Sequence, residues 1–354
     1  MTHPAPSGAT ANYFPGFDWL RLTLAMMVAL SHDNAPLGHN AADFAVQVFF
    51  ALSGWLIGGI LLNSRREDLP RFYFNRAARI WIPYYFAVAL LFGLSFVRDP
   101  VGASWFEYLF YDITYTHNWF ISPRIGEIAK DLPLEGTNNH FWSLSVEEQF
   151  YLVAPLLIIF TRWGRSPFAW GVIAIAAIAA NFWYGSIALG VLAVILHHRV
   201  KDWHLRPEAR AAILGVLVVC VGIYLANHEL YRFVAPFASV AIVLLLAKPG
   251  AKSRIGAFAG GISYPLYLNH WIGIFATHEV LERAAFIGEA GSIVLGGVLN
   301  LLVASLFFVA IDEQVRKRRS ALFSPQLGKA AAVVAYTLVI VGAIGGLGLA
   351  VARG

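Results

Sequence analysis

Cysteine and charge are both scarce in this chain. Cys220 is its only cysteine, so no intrachain disulfide and no cysteine-built zinc or iron-sulfur site can form. Charged residues make up 13% of 354 residues against 58% hydrophobic, far from the composition of a soluble globular domain. Long polar stretches are also missing, which excludes a separate soluble domain and leaves one membrane domain. No histidine pair falls at i,i+4 and no H-E-x-x-H occurs, so no metal site is expected.

What remains is a succession of apolar runs with short charged punctuation, giving a mean hydropathy of +0.62. The expected fold is all-α and polytopic. Hydropathy places helices near 14–35, 43–62, 79–97, 145–161, 168–181, 184–197, 211–227, 233–247, 258–277, 291–311 and 329–351. Only "NFWYGS" separates the fifth and sixth, which are read as two spans. With a cytoplasmic N-terminus, the inner connections hold nineteen lysines and arginines. The outer side keeps six: Arg98, Arg124, Lys130, Arg232, Arg283 and Arg353. This asymmetry fixes the orientation, and it explains the net charge of +5 without nucleic acid as a partner. Abundant Ala and Gly fit the plasma (inner) cell membrane of a bacterium. The longest connection, about 98–144, lies outside and is rich in aromatics ("SWFEYLFYDITYTHNWFISPR"), which predicts a partly folded cover.

The first helix is unusual. In "GFDWLRLTLAMMVALSHDN" (16–34), thirteen residues separate Asp18 from His32, about 20 Å of helix against a hydrocarbon core of about 30 Å. A spanning helix therefore takes polar residues into the membrane. Asp18 cancels Arg21 before the apolar run, so the run reads as a span and not as a cleaved signal. Arg21 and His32 are eleven residues apart and so lie only about 20° apart around the helix. One reading makes Arg21 a snorkelling arginine paired with Asp18, and His32 a headgroup-level residue. The other places both on the wall of a cavity, where His32 is a general base toward a hydroxyl, oriented by Asp33 if the helix ends there.

Further blocks carry polar groups in apolar surroundings. Arg76 and Arg79 stand one turn apart on the inner side, either as topology markers or as a fork for phosphate. Glu147 and Glu148 open the fourth span, where Ser143 or Ser145 would cap, and being adjacent they send at most one carboxylate into a cavity. "SYPLYLNHW" (263–271) places Ser263, Tyr264, Tyr267, Asn269 and His270 inside a span, as helix-to-helix hydrogen bonds or as cavity lining.

The R-x10-H spacing of "DWLRLTLAMMVALSH" resembles the first helix of the membrane acyltransferase-3 family. "VFFALSGWLIGGIL" (48–61), "FYFNRAARIWIPYY" (72–85), "FWSLSVEEQFYLVAPLL" (141–157) and "ISYPLYLNHW" (262–271) resemble its later blocks in the same order. The resemblance covers 14–318, leaving a tail at 1–13 and an additional helix at 319–354 beyond a family core of about ten. "IDEQVRKRR" (311–319) departs from the Glu-then-Pro ending of the family's tenth helix. The resemblance implies an integral membrane O-acyltransferase that takes an acyl group, typically acetyl, from acyl-CoA to a hydroxyl of a carbohydrate or related acceptor. It implies catalytic roles for His32, Arg21 and Glu147, and donor binding by Arg76 and Arg79. Asp18, Asp33, Trp142, Tyr267 and His270 are the substrate-cavity candidates. A transporter or flippase of a carbohydrate or lipid-linked substrate is the alternative of a different class, and a non-enzymatic scaffold a third.

Overall fold

The computed structural model describes residues 13–283 and 288–353. The expected tail at 1–13 therefore lies outside the described residues, apart from Tyr13. Thirteen helices of ten residues or more succeed one another, and no strand occurs among the described residues. They are α1 (Pro15–His32), α2 (Ala41–Leu62), α3 (Leu69–Arg98), α4 (Ala103–Ile113), α5 (Trp142–Phe160), α6 (Pro167–Ala179) and α7 (Tyr184–Arg199). There follow α8 (Pro207–Ala226), α9 (Tyr231–Leu246), α10 (Arg254–Arg283), α11 (Glu289–Phe307), α12 (Glu313–Leu322) and α13 (Pro325–Val351).

Proline sits in the first turn of α1, α3, α6, α8 and α13, where its missing N–H costs nothing. Ser166 and Ser324 cap α6 and α13 through their hydroxyls. Seven segments are long and apolar enough to cross a membrane: Ala41–Leu62, Arg66–Arg98, Pro133–Phe160, Pro207–Ala226, His228–Leu246, Glu289–Leu322 and Pro325–Val351. The chain is a multi-pass membrane protein. The pair flanking "NFWYGS" is two separate helices, α6 and α7, packed on each other.

Two expectations need correction. The third helix starts at Leu69 and not near 79. Its first turns carry Arg71, Arg76 and Arg79, which a hydropathy window rejects, although at about 1.5 Å per residue its thirty residues outreach the bilayer core. Neither Ser143 nor Ser145 caps α5. That helix continues from the 3-10 turn Thr137–Phe141, so Trp142 N–H already bonds the Asn139 carbonyl, and Ser145 donates to the Phe141 carbonyl instead.

The bundle is drawn together at α2 and α7. Gly54 faces the Ile187 carbonyl and Gly190 faces the Ala51 carbonyl, so the two backbones touch with no room for a side chain on either helix. α1 packs between α2 and α10, and α10 lies along α11. The last helix, α13, runs along α3 and reaches α4. Gly342 of α13 lies against Thr114 and Thr116, Gly346 lies against the Phe120 ring, and Arg353 pairs with Glu107.

The long connection between α3 and α5 is folded around α4 and a string of short helical turns. Its centre is a buried polar cluster. His117 Nδ1 lies 2.6 Å from Asp112 Oδ1, and Asn138 donates to Asp112 Oδ2 at 2.9 Å. Gln149 of α5 fastens this cover by donating to the Tyr115 carbonyl and exchanging amide bonds with Asn118. Every one of these groups is shielded from water, so the partners are obligatory.

Candidate active site

At the start of α1, Arg21 lies 3.5 Å from Asp18, whose other carboxylate oxygen accepts from the Tyr13 hydroxyl. Burial and the Asp18 carboxylate push the Tyr13 phenol up to about 12, so it remains a donor at physiological pH. Gly260 lets α10 pass directly over this pair, since a Cβ there would meet the Asp18 carboxylate.

Arg21 then faces a cavity of about 130 Å³ enclosed by α1, α2, α3, α5 and α10. Its polar lining is Arg21, Arg76, Arg79, Ser53, Glu147 and Tyr151, with Ser143, Ser263, Tyr264 and Tyr267 on the remaining wall. Phe49, Phe50, Leu52, Leu56, Ile57 and Ile80 supply the apolar lining. Ser53 donates to Glu147, while Glu148 turns away and accepts from Trp81 Nε1 at 3.1 Å. Adjacent glutamates diverge by about 100° around the helix, and only one can face the cavity. Arg76 Nε is buried with no hydrogen-bond partner among the described residues, a charged donor that suits an incoming anion.

A second chamber of about 230 Å³ adjoins the first and shares Arg21, Arg79 and Tyr264 with it. It adds Lys252, Arg316 and Arg319, against the two carboxylates Asp18 and Asp312. Five cationic residues to two anionic ones make it an electropositive vestibule suited to several phosphates. Asp312 enters it from a single π-helical turn, Phe308–Asp312, between α11 and α12, and its Oδ2 has no hydrogen-bond partner among the described residues. Such turns re-aim side chains at the cost of one irregular hydrogen bond. Glu313, by contrast, is spent on surface pairs with Arg316 and Lys317.

At the opposite end of α1, His32 is exposed and its Nδ1 lies 2.8 Å from Nε2 of His270, which is buried. Between this pair and the cavity stands Tyr267, whose hydroxyl is 2.5 Å from Ser143 Oγ and 3.0 Å from the His140 carbonyl.

A family model described as an acyltransferase domain, that of acyltransferase family 3, matches residues 14–310, most of the chain. The chain belongs to the acyltransferase 3 family. Its members are acyltransferases, so an acyl donor is implied for this enzyme. It is 31% identical over 163 residues to the O-acetyltransferase OatA of Staphylococcus aureus, covering 42% of this chain and 25% of that protein. It is 28% identical over 169 residues to the peptidoglycan O-acetyltransferase OatA of Listeria monocytogenes, covering 44% and 26% respectively. It is also similar to the putative peptidoglycan O-acetyltransferase YrhL of Bacillus subtilis, at 30% over 160 residues, 42% of this chain and 24% of that protein. The matched region is thus about a quarter of the length of these relatives. No solved structure matches the chain.

Within this acyltransferase, the residues singled out from sequence divide between two places. Arg21, Arg76, Arg79, Glu147 and Tyr267 line the first cavity, and Asp18 lines the vestibule. His32 and His270 meet at the C-terminal end of α1. Asp33 does not orient His32: α1 ends at His32, as that role requires, but the Asp33 carboxylate turns toward His278 Nε2, at 3.9 Å. Trp142 lines neither chamber, because its ring is held between Phe50 and Trp183, with centroids 5.8 Å and 4.8 Å away. Sequence reasoning missed Lys252, Arg319 and Asp312. The departure of 311–319 from the family pattern was the available signal for the last two.

Proposed function

We propose that the enzyme transfers an acyl group, in the first instance acetyl, from cytoplasmic acyl-CoA to a hydroxyl of a glycan at the outer face of a bacterial cell membrane. The observation that carries this reading is one helix, α1, with Arg21 on a basic cavity at one end and exposed His32 at the other. The relatives named for peptidoglycan O-acetylation support a glycan acceptor.

In this reading all eleven expected helices cross the bilayer, with the N-terminus in the cytoplasm. A membrane domain spans 14–318 and an additional helix lies within 319–354. Lys252, Arg316 and Arg319 receive the phosphates of the donor, Arg76 and Arg79 grip the group nearest the cavity, and the apolar wall takes the thioester arm. Glu147 and Arg21 flank the arm beyond its phosphates, and the arm carries the thioester along the cavity past Tyr267 to His32. His32 accepts the proton of the acceptor hydroxyl, and the freed oxygen bonds to the acyl carbon. The acyl–sulfur bond breaks, the sulfur leaves with the bonding electron pair, and His32 returns its proton to that sulfur to give the free thiol.

Membranes containing the enzyme are expected to release free CoA from labelled acetyl-CoA and to place label in a glycan fraction. Movement of a glycan without CoA release would favour a transporter and overturn the proposal. Arg76→Gln or Arg79→Gln is expected to raise the KM for acetyl-CoA by roughly 10-fold or more, since each removes a charged hydrogen bond worth about 1.5–3 kcal/mol. A KM unchanged in both variants would remove these arginines from the donor site.

A further inference from the structure

The histidine pair at the outer end of α1 carries its own protonation pattern. His270 Nδ1 lies 2.9 Å from the carbonyl oxygen of Tyr267, one turn earlier in α10. A carbonyl only accepts, so Nδ1 holds the proton and Nε2 of the neutral ring is bare. That bare nitrogen is 2.8 Å from Nδ1 of His32, and the two rings are nearly coplanar, 24° apart. An in-plane lone pair therefore meets an in-plane N–H, which requires the proton of neutral His32 to sit on Nδ1. The lone pair of His32 is then on Nε2, which bonds no described residue.

No other neighbour competes for this arrangement. His140 packs against His270 with ring centroids 4.9 Å apart, but its two nitrogens face the carbonyls of Thr137 and Leu268. The Asp33 carboxylate points to His278. The partner that in Ser-His-Asp sites is a carboxylate is here a second imidazole.

We propose that His270 is a positioning residue that holds His32 in the tautomer whose Nε2 lone pair faces the acceptor hydroxyl. This rests on the reading of His32 as general base. The hydroxyl proton goes to His32 Nε2, and the imidazolium so formed keeps its Nδ1–H on His270 Nε2.

The test compares His270→Phe, which keeps a planar ring but offers no acceptor, with His270→Gln, whose amide oxygen can accept from His32 Nδ1–H. Both are assayed with labelled acetyl-CoA at matched protein level, beside His32→Ala. His270→Phe is expected to lower kcat by roughly 10- to 100-fold, with KM for the donor within about 3-fold of wild type, because the base is misaligned and not removed. His270→Gln is expected to recover most of kcat. Wild-type kcat in His270→Phe together with an inactive His32→Ala would overturn the positioning role alone. Wild-type kcat in His32→Ala would overturn the general-base reading beneath it. Equal loss in His270→Phe and His270→Gln would also overturn the role of the acceptor atom. Independently of any folding defect, 15N spectra of the wild type, assigned by difference from His32→Ala, should show His32 protonated on Nδ1. A proton on Nε2 at rest would contradict the proposal.

Discussion

His32→Ala is expected to reduce acyl transfer by about 10²- to 10⁴-fold, the usual range for a positioned general base, while leaving the amount of folded protein unchanged. His32 is the last residue of α1 and is exposed, and the only hydrogen bond of its side chain among the described residues is to His270. Removing it leaves no cavity in a packed core, and the helix loses no cap, because the Asp33 backbone N–H closes α1 on the carbonyls of Ala29 and Leu30. The loss therefore falls on kcat. Donor binding at the opposite end of α1, some 16 Å along the axis at about 1.5 Å per residue, is expected to persist. Transfer assays with equilibrium binding of acetyl-CoA on the same membranes separate the two. A variant that binds the donor and still transfers at the wild-type rate would contradict the base assignment.

Gly54→Ala and Gly190→Ala are expected to be strongly destabilising for such small substitutions. Each added methyl would overlap a backbone carbonyl of the facing helix, Ile187 for the first and Ala51 for the second. Main-chain atoms cannot turn aside as a flexible side chain can, so α2 and α7 must separate. Overpacking of this kind costs about 1–3 kcal/mol, and it removes the close contact that holds helices together where water supplies no hydrophobic drive. The cost extends to function, because Leu52, Ser53, Leu56 and Ile57 on the same helix line the cavity. Thermal unfolding in detergent should show a lowered Tm for both variants. Gly215→Ala on α8, where nothing lies within 4 Å of an added Cβ, should be close to neutral. Unaltered Tm in Gly54→Ala and Gly190→Ala would show that the two helices do not meet as closely as described.

The order and approximate limits of the long helices could be read from hydropathy because each apolar run is bounded by charge, proline or glycine. The extent of α3 could not, since Arg71, Arg76 and Arg79 belong to the helix and to the site at once. Hydropathy treats as an interruption what the fold uses as lining. On α1 the spacing of Arg21 and His32 placed them on one face, a local property of a helix that needs no tertiary information. Their partners are a different matter. His270 is 238 positions from His32 and Glu147 is 94 from Ser53, and no periodicity relates residues so far apart. Asp33 was an attractive partner for His32 because α1 ends between them, but its carboxylate is taken by His278, far along the chain. Trp142 stands beside the cavity-facing segment of α5 but on the face that packs, a distinction set by the position of Phe50 and Trp183.

The central claim is that donor and acceptor meet the enzyme from opposite sides of the membrane. It is tested most directly in sealed vesicles in which the enzyme has one known orientation, with labelled acetyl-CoA confined to the face bearing Arg76, Arg79 and Arg319 and a glycan acceptor confined to the face bearing His32. The account predicts CoA release on the first face and label in the glycan on the second, with both lost in His32→Ala. Label reaching the glycan only when it shares a compartment with acetyl-CoA would contradict it.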